Sequence, residues 1–279
     1  MANIIEIVKG HWNEYAERFT ETANKRMTLQ CSQHLHSHMK LDSAQNVLEV
    51  AAAGGLGSLD IVQYLLDGRS KLPKHTKRTF TVTDLSPVMV DLATKNLSGA
   101  GTEAVEIKCK EANGQDLTEV VTGSVDRYIA GLCLQLTPDK DAMLREASRV
   151  LTADGIAGFT IWGSPDRSGM FTIIPTVNKE LGFEDNAGEH SYFALGKDLP
   201  ALRKRFAAAG FKDVRIWPYQ CVVELWSADD FAKYEQKVYP IEDEELKARR
   251  FAIVKRLADE WLGKGTPIGL ETYIILARK

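Results

Sequence analysis

The chain has little cysteine: four residues in 279, Cys31, Cys109, Cys133 and Cys221, with no CxxC pair among them. Neither a zinc knuckle nor a disulfide framework is suggested. It also lacks any apolar run approaching the roughly 20 residues that span a bilayer. An excess of one charge is missing too, because 35 basic residues face 38 acidic ones for a net charge of −3. No general field for nucleic acid or acidic lipid results. The opening MANIIEIVKGHWNEY lacks the basic-then-apolar order of a secretory signal, so a cytoplasmic location is expected. There is no internal repeat and no low-complexity tract. A dinucleotide fingerprint is absent as well. In its nearest register, Gly55-Leu56-Gly57-Ser58-Leu59-Asp60, an aspartate stands where glycine or alanine is needed and would repel a pyrophosphate at that helix. What is present, 44% hydrophobic and 26% charged residues, is ordinary for a globular protein and excludes a disordered one.

From residue 46 onward, strand-like and helix-like stretches alternate. Asn46–Val50 is a short apolar run ending in small residues, as a buried parallel strand does. Ser58-Leu59-Asp60 then opens a helical pattern with Ile61, Val62, Leu65 and Leu66 on one face, and Gly68 is its expected C-cap. Residues 69–78 read as a basic loop, solvated rather than RNA-binding given the overall charge. Phe80–Thr83 is the next strand, and Ser86 with Pro87 marks a helix start. Strands follow at Val105–Ile107 and Val125–Ile129. Thr137-Pro138 opens a helix with Met143, Leu144, Ala147, Val150 and Leu151 on one face. A fifth strand runs Ile156–Trp162. Asp198 caps a helix closed by Gly210, and strand-like stretches near 213–225 and 271–277 complete the set. This order predicts an α/β fold with a parallel-rich sheet covered on both faces. Segments 1–45, 163–197 and 228–263 fall outside the alternation. In the last, the acidic run 242–245 and the bases Lys247, Arg249 and Arg250 read as a solvated helix face.

The chemistry-bearing stretch is Val47–Gly57, a strand that breaks at small residues and opens a helix, so a ligand can approach its backbone. Asp84 ends the next strand, where a carboxylate can accept from a ribose diol. With these come Thr83-Asp84-Leu85-Ser86-Pro87-Val88-Met89, Glu111–Leu117, and Ser124–Tyr128 continuing to Arg149–Gly155. In this order the segments resemble those of the class I S-adenosylmethionine-dependent methyltransferases, in particular the small-molecule branch that includes the ubiquinone/menaquinone-biosynthesis type. The resemblance is strong over roughly 45–165. It implies a Rossmann-like, doubly wound, seven-stranded, mostly parallel sheet in a single domain over 1–279. Residues 1–45 would form an N-terminal helical lid, 46–162 the cofactor-binding core, and 163–197 with 228–263 a helical substrate cap.

The resemblance also implies roles. Glu49 would orient the turn and the amino group of S-adenosylmethionine. Ala51, Ala53 and Gly55 take the positions of three glycines, the two alanines being a departure that Gly54 and Gly55 are expected to offset. Asp84 would hold the ribose, and Leu85 and Met89 would pack the adenine. Asn113 would accept from the adenine amino group and the Gly114 backbone would donate to the ring. Gly131 and Leu132 would lie beside the methyl group. Trp12 and Tyr15 sit on the lid helix, where one ring could face a sulfonium. Trp162, at a strand end, could line the pocket. His34, His36 and His38 suggest a metal at first sight, yet on a helix only His34 and His38 share a face. No metal is expected, and His34 and His190 stand as candidate bases. The expected activity is methyl transfer to a small-molecule acceptor, with no nucleic-acid partner. The alternatives are a catalytically silent partner protein, motivated by the two alanines, and a methyltransferase acting on protein or RNA.

Overall fold

The computed structural model describes residues 2–66, 72–73, 76–183 and 188–279. Gly68 and residues 69–71 and 74–75 of the basic loop lie outside the described residues. Seven strands form one sheet: β1 (Asn46–Val50), β2 (Arg78–Asp84), β3 (Val105–Glu111), β4 (Val125–Gly131), β5 (Leu151–Trp162), β6 (Asp213–Glu224) and β7 (Ile268–Arg278). Their order is β3-β2-β1-β4-β5-β7-β6. The first five run parallel, while β7 is antiparallel to both β5 and β6. The strand order reverses between β1 and β4, and ligands bind doubly wound sheets at such a switch point. The expected seven-stranded, mostly parallel sheet is present.

Helices α3 (Leu56–Leu66), α4 (Pro87–Asn96), α5 (Lys140–Val150) and α8 (Leu199–Ala208) make the crossovers. Helix α3 starts before Ser58, and Leu66 turns 39% of its surface to solvent instead of joining Ile61, Val62 and Leu65 in the core. Helix α5 starts at Lys140, because Asp139 and not Thr137 caps it by accepting from Ala142 N. Its apolar face, from Met143 to Leu151, is fully buried as expected.

Before the sheet, α1 (Ala2–Phe19), a π-helical segment (Thr20–Thr28) and α2 (Leu29–His36) form one continuous helical run. Its inner side, Ala23, Met27, Cys31 and Leu35, repeats every four residues and is buried. Leu35 and the following Met39 lie directly on β5, where a side chain at Gly158 would strike both. The same run protects the open edge of the sheet. The Gln30 carboxamide donates to Val222 O and accepts from Val222 N, and Arg26 donates to Val223 O. Pro218, on the same edge strand, has no N–H to offer another chain.

Helix α6 (Gly169–Leu181), the short α7 (Ala194–Lys197), α9 (Ala228–Val238) and α10 (Glu244–Leu262) make up the remaining segments; α6 and α10 pack on each other and on β7. Two basic residues are not the solvated groups expected. Arg78, placed in the loop by sequence, begins β2, is buried and donates to Leu65 O and Asp42 O. Arg250 is also buried, bonded at 3.2 Å to the buried Glu235 of α9. Both positions are decided by segments distant in sequence. No described helix is long and apolar enough to cross a membrane.

Candidate active site

A cavity of about 1090 Å³, its mouth included, opens at the carboxyl ends of β1, β2 and β4. Its floor is the turn after β1. Four non-glycine residues have a positive φ among the described residues, and three of them line this cavity: Ala51 (57°), Ala53 (51°) and Leu132 (50°). The left-handed region costs an L-residue roughly 1–2 kcal/mol. Strain of this kind persists where the surroundings over-determine it and tends to collect at functional sites. The expectation that Gly54 and Gly55 offset the two alanines is corrected: the alanines themselves adopt the glycine-like conformation. Gly55 does not line the cavity. It allows close packing on α4, where an added Cβ would lie 3.0 Å from Ala93 Cα. A Cβ at Gly54 would come 2.9 Å from Thr20 Oγ1 of the π-helical segment.

Two buried carboxylates face the cavity. Asp84, at the end of β2, accepts from Ala53 N and Ser86 N, each at 2.9 Å, and so holds the turn as well as the strand end. Burial raises its pKa, with the backbone hydrogen bonds opposing. A carboxylate has about four acceptor positions, so lone pairs remain for a diol. Glu49, in β1, accepts from Ser58 Oγ at 2.5 Å. Burial raises its pKa too, eased by the charge of His36 and then by the Ser58 bond.

Leu85, Met89, Asn113 and Gly114 form one wall, and Gly131 and Leu132 the opposite one. A Cβ at Gly114 would lie 2.8 Å from Val50 Cγ1, so the loop approaches β1 as only glycine allows. Asn113 is placed as expected, but its side-chain oxygen already accepts from Gln115 N and Gln115 Nε2, both at 3.0 Å. With both lone pairs engaged, it does not accept from a further amino group in this conformation.

The roof is α1, tied to the end of β3 by the Lys9–Glu111 ion pair. Ile5, Val8, Trp12 and Phe19 face the cavity. Tyr15 does not: it stands behind them, 6.0 Å between ring centroids from both Trp12 and Phe19. Beyond Phe19 a second stripe, Asn24, Thr28 and Ser32, also lines the cavity and was missed in the sequence. The spacing of four, one residue out of phase with Ala23, Met27 and Cys31, was the available signal. Gln115 lies in the Glu111–Leu117 stretch but was given no role, and Cys133 and Thr137 were missed with nothing in their local sequence to mark them.

Trp162, His34 and His190 are not brought to this cavity. Trp162 is buried against Phe171, His190 and Phe193, at centroid distances of 4.0, 4.9 and 4.9 Å. His34 stacks on Tyr219 at 4.3 Å and lies 4.9 Å from His38, so the two share a face as expected, against β6. Neither His34 nor His190 is placed to act as a base here. No described group of three or more His, Cys, Asp or Glu side chains is arranged to hold a metal.

A glycine-type turn after β1, an acid ending β2 and a loop after β3, all opening on one cavity at the switch point, define the class I methyltransferase fold. Residues 55–159 match the family described as a methyltransferase domain. A demethylmenaquinone methyltransferase from Lactobacillus johnsonii is 29% identical over 144 residues, 48% of this chain and 57% of that protein. The match thus spans little more than half the length of that relative. Among solved structures, the YcgJ protein of Bacillus subtilis superposes with a TM-score of 0.53 at 15% identity, covering 90% of this chain and 99% of its own. A SAM-dependent methyltransferase from Thermotoga maritima gives a TM-score of 0.52 at 14% identity, covering 98% and 99%. Residues 55–159 thus resemble a methyltransferase domain, and the sheet that carries them has the class I methyltransferase fold of the solved neighbours.

Proposed function

We propose that the protein transfers a methyl group from S-adenosylmethionine to a small-molecule acceptor. The observation that carries this reading is the convergence of Glu49, Asp84 and the left-handed turn between them on a single cavity roofed by Trp12 and Phe19. The residues suit the cofactor. Glu49 would take its ammonium end, Asp84 its ribose diol, and Leu85 with Met89 the faces of its adenine. Gly131 leaves space beside Ser32 that a Cβ would fill, and Gly114 lets its loop approach β1 closely. When bound, the cofactor supplies a methyl group already activated by a positively charged sulfur. The chain then has to bind, orient and exclude water, bringing the nucleophile to about 3–3.5 Å from that methyl.

The described lining includes no Lys, Arg or His. Both carboxylates are committed to the turn and to Ser58, and burial pushes the Cys133 thiol up to about 11. The wall therefore supplies neither a counter-charge for an anionic acceptor nor a strong base. With Ile5, Val8, Leu132 and Leu136 beside the two aromatic rings, this favours a neutral, largely apolar acceptor whose nucleophile needs little help losing a proton. The likeness to a demethylmenaquinone methyltransferase supports the same class. Segments 163–197 and 228–263 contribute no described residue to the cavity wall; in this reading they complete the substrate cap outside it. Calorimetric titration tests the proposal: micromolar binding of S-adenosylmethionine and S-adenosylhomocysteine is expected, and a folded protein that binds neither would refute it.

A further inference from the structure

The loop after β3 offers the cavity hydrogen-bond donors and withholds its side-chain acceptors. Gln115 N and Gln115 Nε2 both donate to Asn113 Oδ1 at 3.0 Å. The Gln115 carboxamide is fixed at its other atom too, because its Oε1 accepts from Asp139 N at 2.6 Å. Peptide N–H groups only donate, so the orientation of both carboxamides follows. Each oxygen faces a backbone donor, and Asn113 is left with Nδ2, a donor. The Gly114 N–H is a second donor beside it. Among the described residues neither group has a hydrogen-bond partner, and both residues line the cavity. The arrangement is anchored from outside the loop. Asp139 is the cap of α5, accepting from Ala142 N at 2.9 Å. Within α5, Glu146 Oε2 accepts from Leu117 N and Arg149 donates to Leu117 O, each at 2.7 Å.

We propose that Gln115 is a specificity-determining residue: by occupying the Asn113 oxygen, it makes the loop read the ring nitrogens of the cofactor's base and not its amino group. This rests on the proposed function. Adenine carries an exocyclic amino group, which donates, and ring nitrogens, which accept. The two free donors of Asn113 and Gly114 suit ring nitrogens but cannot bond an amino group. A purine without that amino group keeps the same ring acceptors. The site therefore holds a purine nucleoside thioether whether or not its ring carries the amino group. Selection of the base falls to its shape, between Leu85, Met89 and the loop, and to its ring nitrogens. Gln115 thus reverses the polarity expected at Asn113, although Asn113 itself stands where an amino group would be read.

The test is calorimetric titration with S-adenosylhomocysteine and with its analogue carrying purine in place of adenine. The quantity read is the ratio of the two affinities. In the unmodified protein the two ligands are expected to bind within about threefold of each other. Gln115→Met removes the side-chain donor at similar length and frees a lone pair of Asn113 Oδ1 for the amino group. The ratio should then open to about five- to tenfold in favour of S-adenosylhomocysteine. Asn113→Asp supplies a carboxylate with about four acceptor positions, enough for Gln115 and the amino group together. There the ratio should exceed about tenfold, and this variant decides the matter if Gln115→Met fails to fold. Damaged packing alone would weaken both ligands alike and leave the ratio unchanged. If the unmodified protein binds neither ligand, the methyltransferase reading itself fails. If it prefers S-adenosylhomocysteine by more than about threefold, or if the ratio stays closed in the folded variants, the role of Gln115 is overturned while that reading stands.

Discussion

Replacing Ala51 or Ala53 by glycine is expected to stabilise the protein, although alanine to glycine ordinarily destabilises. Both residues sit in the left-handed region, at φ of 57° and 51°, where an L-residue costs about 1–2 kcal/mol. Glycine removes that strain but loses about 0.4–1 kcal/mol through the greater freedom of the unfolded chain. The net gain is about 0.5–1 kcal/mol for each substitution. The two sites are neighbours and share the Asp84 contact to Ala53 N, so the double variant should fall short of the sum. Ala52 between them provides the control. It has no positive φ, is 9% exposed and packs in the core, so Ala52→Gly should destabilise by roughly 0.5–1 kcal/mol or more. Urea unfolding reads all three as midpoint shifts at constant slope. A loss of stability in Ala51→Gly and Ala53→Gly comparable to that of the control would show that the turn is not left-handed in solution.

Asp84→Asn should weaken S-adenosylhomocysteine binding by about 10–100-fold, the scale of a lost charged hydrogen bond, while the amide oxygen can still serve Ala53 N; calorimetry measures it. Gly114→Ala places a methyl 2.8 Å from Val50 Cγ1 and should cost about 1–3 kcal/mol by overpacking, seen as a lower denaturation midpoint. Burial raises the Glu235 pKa to about 7, with Arg250 opposing. The folded state then retains a proton that the unfolded state releases between the ordinary carboxylate value and about pH 7, so this group's contribution to stability falls as pH rises through that window. Glu235→Gln should remove that slope, and the stability difference between the two proteins, measured from pH 4.5 to 8, should track it.

The sheet was legible because its parallel strands are short apolar runs punctuated by turns, and Asp84 because an acid at a strand end has a place in the pattern. Helical periodicity told which histidines share a face, but not that the His36 side is the inward one; that depends on Asp60, from another helix. Arg250 sits in a run of charges that reads as solvated, and only the packing of α9 on α10 buries it against Glu235. Ala51 and Ala53 look like a defect in a glycine turn because sequence records the Cβ and not the φ. The same is true of Leu132, whose strain follows from β4 ending where Leu132 N bonds to both Thr160 O and Thr160 Oγ1. Asn113 lost its expected role to a neighbour two residues away, Gln115, whose side chain folds back on it.

The central claim is that the cavity under α1 is the cofactor site, built from Glu49, the left-handed turn, Asp84 and the Gly114 loop. A crystal structure of the protein with S-adenosylhomocysteine tests it most directly. The account predicts the ribose hydroxyls on Asp84, the amino group toward Glu49, the adenine between Leu85, Met89 and the Gly114 loop, and the sulfur near Gly131 and Leu132 beneath Trp12. Ligand density elsewhere, or an empty cavity in crystals grown at millimolar ligand, would contradict it.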